Sequence, residues 1–167
     1  MWDTGNHHKY KLNISDNKIS LVENLNEGCS DFEFFAKNDK LLKLYVIADN
    51  IFYQYVGITI QSIKKRLSQG LKAKGKSGYH GYKWKNKNEV NIFIFVFDDA
   101  TDKEQIENIE AELCFKIREK HGKWCVAQNE IHFNNNFNSG NVIAGEILLE
   151  LEKNCSYKNC FDSSITK

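Results

Sequence analysis

Two tyrosines and an arginine have a spacing that suits chemistry on a phosphate group. Tyr45 and Tyr55 each stand in a short apolar and aromatic run, and Arg66 follows in the next segment. Arginine is scarce, since only Arg66 and Arg118 occur among the 23 lysines and arginines. A guanidinium is a planar fork that binds a phosphate through two parallel hydrogen bonds, which a lysine cannot do. The tyrosines alone are equally typical of cross-strand packing in a hairpin, so the arginine makes this pattern a candidate site.

The flanking sequence predicts the elements that position these side chains. Residues 43–57 predict a β-hairpin, because two apolar runs flank Asp49-Asn50, and both turn residues tolerate the left-handed backbone of a tight reversal. Thr59 then predicts a helix N-cap. Apolar residues recur four apart after it, as is typical of one helix face, at Ile63, Leu67 and Leu71. Both tyrosines are therefore predicted on paired strands, with the arginine on the helix that follows.

A second helix offers a carboxylate. Thr101 with Glu104 predicts a capping box, and the helical pattern continues to a stop at Gly122. Two glutamates in this helix compete for an inward position. At 100° per residue, Glu110 lies about 55° from the centre of the apolar stripe, whereas Glu112 lies about 105° away on the other side. We therefore expect Glu110 to point toward the sheet, with Glu112 as the alternative.

Residues 71–87 form a basic, glycine-rich and aromatic segment. It holds six lysines, three glycines and His80, and no acidic residue. This composition predicts a loop that follows a phosphate backbone and offers rings for stacking. The alternative is a solvated connection in which Trp84 starts the next strand. The predicted contact side chains, two of them from the preceding helix, are Lys64, Lys65, Lys72, Lys74, Lys76, Tyr79, Lys83, Trp84 and Lys85.

The remaining segments are predicted to be further elements packed around the hairpin and helices described above. Residues 10–23 predict a further hairpin, and residues 31–37, with three phenylalanines, fit either a short helix or a strand packed on the core. Residues 90–97 predict a strand covered on both faces. A polar linker at 134–140 precedes a short amphipathic helix, which either completes the core or forms a dimer contact.

The hairpin and helix together resemble the core of the GIY-YIG nuclease superfamily. Lys43–Tyr45 (Lys-Leu-Tyr) stands where the first half-motif would be, Tyr55–Gly57 (Tyr-Val-Gly) is a nearly intact second half-motif, and Arg66 follows at about three helical turns. The resemblance covers residues 43–133. At the end of this range, the run Gln-Asn-Glu-Ile-His-Phe at 128–133 resembles the ending of small restriction-enzyme-like members.

The resemblance implies an α+β fold of the α/β-sandwich type. We expect a small, mainly antiparallel three-stranded sheet flanked by helices, with the N-terminal hairpin and the C-terminal helix added to it. The predicted segments are an N-terminal extension at 1–42, a nuclease core at 43–133, and a linker, short helix and polar tail at 134–167. At 167 residues, we expect them to form one compact domain.

The resemblance also implies roles for the site residues. Arg66 would clamp the phosphate and neutralise the charge that develops on it. Glu110, or Glu112 as the alternative, would hold one divalent ion, with Mg²⁺ expected and Mn²⁺ also suitable. Tyr45 or Tyr55 would position or deprotonate the attacking water, which of the two being left open.

Two positions depart from the family pattern. Members often carry a histidine or tyrosine one turn after the arginine, where this chain has Gln69-Gly70. We expect His80 to replace that residue, with Tyr79 as the alternative. The asparagine that usually follows the second helix would be replaced by Gln128, with Asn129 as its alternative.

Composition limits the classes of function. The net charge of +1 argues against a protein that coats nucleic acid by charge alone, and 41% hydrophobic residues argue against disorder. The five cysteines lack a Cys-x-x-Cys pair and are expected to be reduced thiols, with the role of Cys155 and Cys160 open. No apolar run is long enough to span a membrane, so we expect a soluble, cytoplasmic protein.

These observations lead to one main hypothesis and two alternatives. The main hypothesis is a metal-dependent endonuclease that hydrolyses double-stranded DNA, restriction-like and sequence-specific. The alternatives are a repair or mobile-element nuclease of the same superfamily and a non-catalytic nucleic-acid-binding module on the same scaffold. The recognition sequence, the cut position and the oligomeric state, including a homodimer, are left open.

Overall fold

A single antiparallel sheet organises the chain, as seen in a computed structural model that describes residues 7–75, 80–98, 101–128, 131, 133 and 139–155. The strands are β1 (His7–Ser15), β2 (Lys18–Asn24), β3 (Lys43–Ala48), β4 (Tyr53–Thr59) and β5 (Glu89–Val96). The helices are α1 (Phe34–Lys37), α2 (Ile63–Lys72), α3 (Lys103–His121) and α4 (Ser139–Asn154), with a 3₁₀ turn at Lys83–Asn86. None of the described helices is long and apolar enough to cross a membrane.

The fold is α+β, as predicted, but the sheet is larger than expected. Its strand order is β2-β1-β5-β3-β4, and every neighbouring pair is antiparallel. The N-terminal hairpin belongs to the same sheet as the other three strands and makes it five-stranded. Its strand β1 pairs with β5 along seven residues, from His7 opposite Phe95 to Asn13 opposite Glu89. The continuous apolar run of β5 is explained by this central position between β1 and β3.

Helices cover both faces of the sheet and divide the core in two. One core lies between the sheet and the helices α3 and α4, with Phe93, Leu113 and Ile147 fully or almost fully buried in it. The other lies between the sheet and the elements α1 and α2, with Tyr45 and Leu67 buried in it. The C-terminal helix α4 therefore completes the core, which was the first of the two alternatives predicted for it.

The tight left-handed turn that was predicted between β3 and β4 occurs instead between β1 and β2. Asp49-Asn50 does not form a tight left-handed turn, because the Asp49 carboxylate accepts hydrogen bonds from the backbone N–H groups of Ile51 and Phe52, both at 2.8 Å, and so organises a wider loop. Among the described non-glycine residues, the left-handed backbone occurs at Asp16 and Asn17 instead, with φ of 52° and 57°. That pair closes the β1–β2 hairpin.

Both predicted helix caps are displaced. The helix α2 is preceded by Ser62, whereas Thr59 ends β4 and its hydroxyl accepts from the Gln61 backbone N–H at 3.0 Å. At α3 the cap is Asp102, whose carboxylate accepts from the Gln105 backbone N–H at 2.7 Å. A carboxylate is a stronger acceptor than the Thr101 hydroxyl and interacts favourably with the helix dipole.

Of the three phenylalanines near α1, only Phe32 is buried. Its ring packs edge-on against Tyr10, with ring centroids 4.9 Å apart. Phe34 and Phe35 are 70% and 43% exposed, so the expectation that all three pack on the core was wrong. The helix begins at Phe34, after the buried ring, and the residue that it buries is Ala36.

Lys43, which stands in the first half-motif, is fully buried at the start of β3. Its ammonium group donates to the backbone carbonyls of Asn38 at 2.7 Å and Leu41 at 2.5 Å. Burial lowers its pKa to about 8, while Asp39 acts in the opposite sense. This lysine therefore ties the segment before β3 to the sheet and is a structural residue.

Candidate active site

A cavity of about 390 Å³ opens at the edge of the sheet beside β4, between α2 and α3. The helices lie on opposite faces of the sheet, so side chains from both can meet only at this edge. The cavity thus combines residues that are far apart in sequence. Its lining residues are Tyr55, Ile58, Arg66, Lys103, Glu107, Glu110, Ala111, Gln128 and Ile131.

The glycine of Tyr-Val-Gly makes room for both tyrosines. Gly57 lies opposite Tyr45 in the β3–β4 register, and Tyr55 lies two residues before it on the same face. A Cβ at position 57 would be 2.5 Å from the Tyr55 ring and 2.7 Å from the Tyr45 hydroxyl. The small residue is therefore required by the two rings that cross above it.

Arg66 is held in place by a closed set of three hydrogen bonds. Its Nε donates to the Tyr45 hydroxyl at 3.3 Å, the Tyr45 and Tyr82 hydroxyls are 3.0 Å apart, and the Tyr82 hydroxyl donates to the Arg66 backbone carbonyl at 3.5 Å. The three hydrogen bonds form a consistent cycle if the Tyr45 hydroxyl donates to the Tyr82 hydroxyl, because each residue then donates one bond and accepts one. The bonds of such a cycle polarise one another and fix the guanidinium relative to the sheet.

Tyr82 is the functional residue that sequence reasoning missed. Its ring lies directly over Gly70, where a Cβ would be 2.1 Å away, and Gly70 is one helical turn after Arg66. The space left open by Gly70 on the helix is thus filled from the following loop. Gly81, with φ of 76°, gives the loop the conformation that aims Tyr82 inward.

The expectation that His80 fills this place was wrong. His80 is exposed and does not line the cavity. Its backbone carbonyl instead accepts from the Lys85 ammonium at 3.0 Å, which fixes the loop. The alternative, Tyr79, lies outside the described residues.

The two tyrosines of the motif differ in what they can do. Tyr45 is fully buried, and its hydroxyl is engaged by Arg66 and Tyr82. Burial and the neighbouring Tyr82 raise the pKa of Tyr45 well above its ordinary value, so it is a poor base. Tyr55 is half-buried and lines the cavity, and its ring packs edge-on against Tyr82 at 5.4 Å. Tyr55 is therefore the motif tyrosine that can reach a bound water.

Glu110 brings a carboxylate to the cavity from the opposite face. Burial and, to a smaller extent, the charge of Glu107 raise the pKa of Glu110 to about 7, although the charge of Arg66 acts in the opposite sense. Glu107 lies one turn earlier on the same side of α3 and is paired with Lys103 at 2.7 Å. The charge of Arg66 therefore does not offset the cost of burying this carboxylate.

Glu112 points away from the cavity, as the helical phase predicts. Its carboxylate accepts from the Asn141 side-chain amide of α4 at 2.9 Å. The two glutamates thus lie on different sides of α3, as predicted from their helical positions, and of the two only Glu110 faces Arg66.

The donor atoms at the cavity fit a hard divalent cation. No group of three or more histidine, cysteine, aspartate or glutamate side chains able to hold a metal occurs in the described part of the chain. Among the cavity-lining side chains, Glu110 would supply one carboxylate, and water and phosphate oxygens would complete an octahedral shell, which is the usual arrangement for Mg²⁺. Mn²⁺ accepts the same oxygen donors.

Gln128 joins the cavity by binding the edge of β4. Its side-chain amide accepts from the Val56 backbone N–H at 2.9 Å and donates to the Val56 carbonyl at 3.3 Å. The backbone of Ala127 continues this pairing by donating to Gln54 at 2.8 Å. Gln128 therefore fixes the segment after α3 against the strand that carries Tyr55. Asn129 lies outside the described residues.

Eight of the nine predicted DNA-contact residues, all except Trp84, fall into three groups. Lys64, Lys65, Lys72, Lys74 and Lys83 are exposed and free to meet a phosphate backbone. Lys85 is engaged, since its ammonium donates to the Ala73 and His80 carbonyls at 3.0 Å each. Lys76 and Tyr79 lie outside the described residues.

Trp84 was wrongly predicted to contact DNA. Its side chain is only 2% exposed, and its ring stacks on Tyr82 with centroids 4.6 Å apart. The large apolar ring gains more from burial under the loop than from exposure. Trp84 therefore supports the candidate site from behind, through Tyr82.

Tyr82→Phe is expected to lower turnover about tenfold without changing KM, if the cavity is catalytic. The substitution keeps the ring over Gly70 but breaks the hydrogen bonds to Tyr45 and Arg66, which together stabilise the fold by about 1 kcal/mol. Steady-state kinetics and thermal unfolding of the same preparation measure the two effects. An unchanged kcat would show that the three-membered ring of bonds does not orient Arg66.

Glu110→Gln is expected to stabilise the metal-free protein at pH 8 by up to about 3 kcal/mol. The folded-state pKa of Glu110 is about 7, above its ordinary value of 4.5, so the folded state binds more protons between these values. Wild-type stability should therefore fall as the pH rises through this window, and the glutamine variant should lack that fall. Urea unfolding in EDTA at pH 4.5 and pH 8 measures the difference, and a gap independent of pH would contradict the burial of this charge.

Comparisons with protein-family models, with curated protein sequences and with solved structures found no significant match to this chain.

Proposed function

We propose that this protein is a metal-dependent endonuclease that hydrolyses phosphodiester bonds in double-stranded DNA. One observation carries the proposal: Tyr55, Arg66, Glu110 and Gln128, which the motif resemblance names together, line a single cavity. They come from two helices, a strand and a loop on both faces of the sheet. Packing alone does not explain an arginine and a carboxylate at the same edge cavity.

Each proposed step uses a group with suitable chemistry. Arg66, held by Tyr45, would bind the non-bridging oxygens of the phosphate and stabilise the charge that grows on them. Tyr55 would orient the attacking water, whose oxygen forms a bond to phosphorus as the bond to the leaving oxygen breaks. The water gives up one proton to solvent and the leaving oxygen takes one up from solvent, so the products are a 5′ and a 3′ end, one of which carries the phosphate.

Glu110 is the proposed ligand of a divalent cation, with Mg²⁺ expected. When bound, such a cation polarises the phosphate and stabilises the leaving oxygen. Its positive charge would also keep Glu110 ionised, which is otherwise opposed by burial. Gln128 has a positioning role, because its side chain fixes the strand of Tyr55.

The carboxylates at the cavity favour a catalytic role over simple binding of nucleic acid. A protein that only binds a phosphate backbone gains nothing from Glu107 and Glu110 beside Arg66, since both would repel the phosphate. A cation held between carboxylate and phosphate removes this repulsion. We further propose a cytoplasmic place of action, where intracellular DNA can reach the exposed lysines of α2 and the following loop.

Digestion of a long DNA with Mg²⁺ tests the proposal. We expect a discrete set of bands, because the added hairpin, the basic loop and α4 would supply sequence recognition within this short chain. A smear would indicate a nuclease without sequence specificity, as a repair or mobile-element enzyme could be. Intact DNA over a range of sequences and with both Mg²⁺ and Mn²⁺ would contradict the proposal.

A further inference from the structure

The second arginine of the chain lies on the surface near the end of α3. The Arg118 guanidinium stands 4.8 Å from the centroid of the Trp124 ring, and both side chains are exposed. Within the described residues, no carboxylate forms an ion pair with Arg118. An exposed arginine held by an aromatic face, and not by an acid, keeps its full charge available for a ligand.

A lysine beside this pair is held in the same manner. The Lys123 ammonium lies 4.0 Å from the centroid of the Phe52 ring and is exposed. Lys120, only two residues from Arg118, differs because it is paired with Glu152 of α4. Glu119 is exposed and lies next to Arg118 in sequence, so the local charge is mixed, but the two ring-held cations lack acidic partners among the described residues.

These side chains lie beside β4, as the candidate active site does, but nearer to the start of the strand. The backbone of Val126 donates to Tyr53 at 3.2 Å, and the Gln128 side chain binds Val56, so the segment 124–128 runs beside β4. From Phe52 to Val56 the strand advances about 14 Å at about 3.4 Å per residue. That length matches about four base-pair steps of duplex DNA at 3.4 Å each.

We propose that Arg118, Lys123 and Trp124, together called the β4-edge cluster, bind the backbone of duplex DNA about four base pairs from the phosphate that is cleaved. The proposal rests on the proposed function. The exposed lysines of α2 lie on the opposite face of the sheet from α3. The duplex would therefore cross the β4 edge and be contacted from both faces.

Within this cluster the residues have different roles. Arg118 and Lys123 supply the phosphate contacts. The Trp124 ring faces the guanidinium, so it orients Arg118 and is not free on that face to stack on a base. The cluster thus contributes affinity without sequence readout, which suits a surface outside the cleaved position.

Equilibrium binding of a fluorescent duplex in EDTA, over a series of salt concentrations, tests the proposal without any cleavage. Arg118→Gln and Lys123→Gln should each flatten the log–log salt slope by about one unit, because each removes one phosphate contact. Trp124→Ala should lower the affinity and leave the slope nearly unchanged, since the charge of Arg118 is retained. Lys120→Gln is the matched control, with the same charge change on the same helix, and its slope should equal that of the wild type.

The outcomes separate this proposal from the proposed function. If Lys72→Gln and Lys74→Gln flatten the slope but Arg118→Gln and Lys123→Gln do not, the cluster is overturned and the nuclease proposal stands. If Lys120→Gln flattens the slope as much as Arg118→Gln does, the effect is one of general charge and the cluster is likewise overturned. If the wild type shows no salt-dependent affinity for duplex DNA, the cluster is overturned, and digestion of DNA with Mg²⁺ decides the nuclease proposal separately.

Discussion

Replacing Arg66 with alanine is expected to lower the rate of DNA cleavage by about 10² to 10³ and to leave most of the DNA affinity intact. The guanidinium is oriented by Tyr45 and Tyr82 toward the cavity, where charge would develop on the phosphate. The exposed lysines that supply long-range attraction are unchanged in this variant. Single-turnover cleavage and duplex binding measure the two quantities separately.

Arg66→Lys is the informative companion of that variant. It keeps the positive charge but loses both the fork and the Nε donor to Tyr45, so only part of the rate should return. Thermal unfolding shows whether either variant is destabilised beyond the loss of one hydrogen bond. Near-normal turnover by Arg66→Ala would remove the arginine from the site.

Glu110→Gln is expected to abolish metal-dependent cleavage, whereas Glu112→Gln should retain it. Both substitutions preserve size and nearly preserve helix propensity, so the comparison isolates one negative charge at two positions on the same helix. Only Glu110 faces Arg66 across the cavity, while Glu112 binds Asn141. Cleavage rates over a titration of Mg²⁺ and Mn²⁺ measure the effect.

The opposite ranking of the two variants would mean that the cation is held on the α4 side of α3. Equal losses in both would indicate a general sensitivity of this helix to charge. An active Glu110→Gln with an unchanged Mg²⁺ requirement would show that another group binds the cation.

Periodic features of the sequence predicted most of what surrounds the cavity. The α+β class is confirmed, and the paired strands and helix carry Tyr45, Tyr55 and Arg66 as expected. The helical phase favoured Glu110 over Glu112 as the inward-facing glutamate, and the structure places the two side chains in agreement with it. Regular elements are predictable because burial of one face fixes the position of every residue along them.

Tyr82 was missed because nothing periodic signals it. Its place depends on two glycines, Gly70, which leaves room for the ring, and Gly81, whose left-handed backbone aims the loop. The absence of a side chain one turn after Arg66 was visible in the sequence. A nearby loop aromatic was the right kind of replacement, but choosing Tyr82 over His80 required the tertiary contact.

The size of the sheet and the ends of the helices were mispredicted for a related reason. The pairing of β1 with β5 joins strands that are far apart in sequence, and no local pattern specifies which distant strand the N-terminal hairpin pairs with. The cap of α3 shifted by one residue because Thr101 and Asp102 are both acceptable caps locally. Such choices are decided by neighbours that the sequence alone does not identify.

The central claim is that this cavity hydrolyses DNA with the help of a divalent cation bound through Glu110. The most direct test incubates supercoiled DNA with wild-type protein in Mg²⁺, with the same protein in EDTA, and with Glu110→Gln purified in parallel. We predict nicked and linear DNA only in the first reaction, since the variant excludes a contaminating nuclease and EDTA excludes metal-free hydrolysis. Equal cleavage by wild type and Glu110→Gln, or no cleavage by either, would contradict the account.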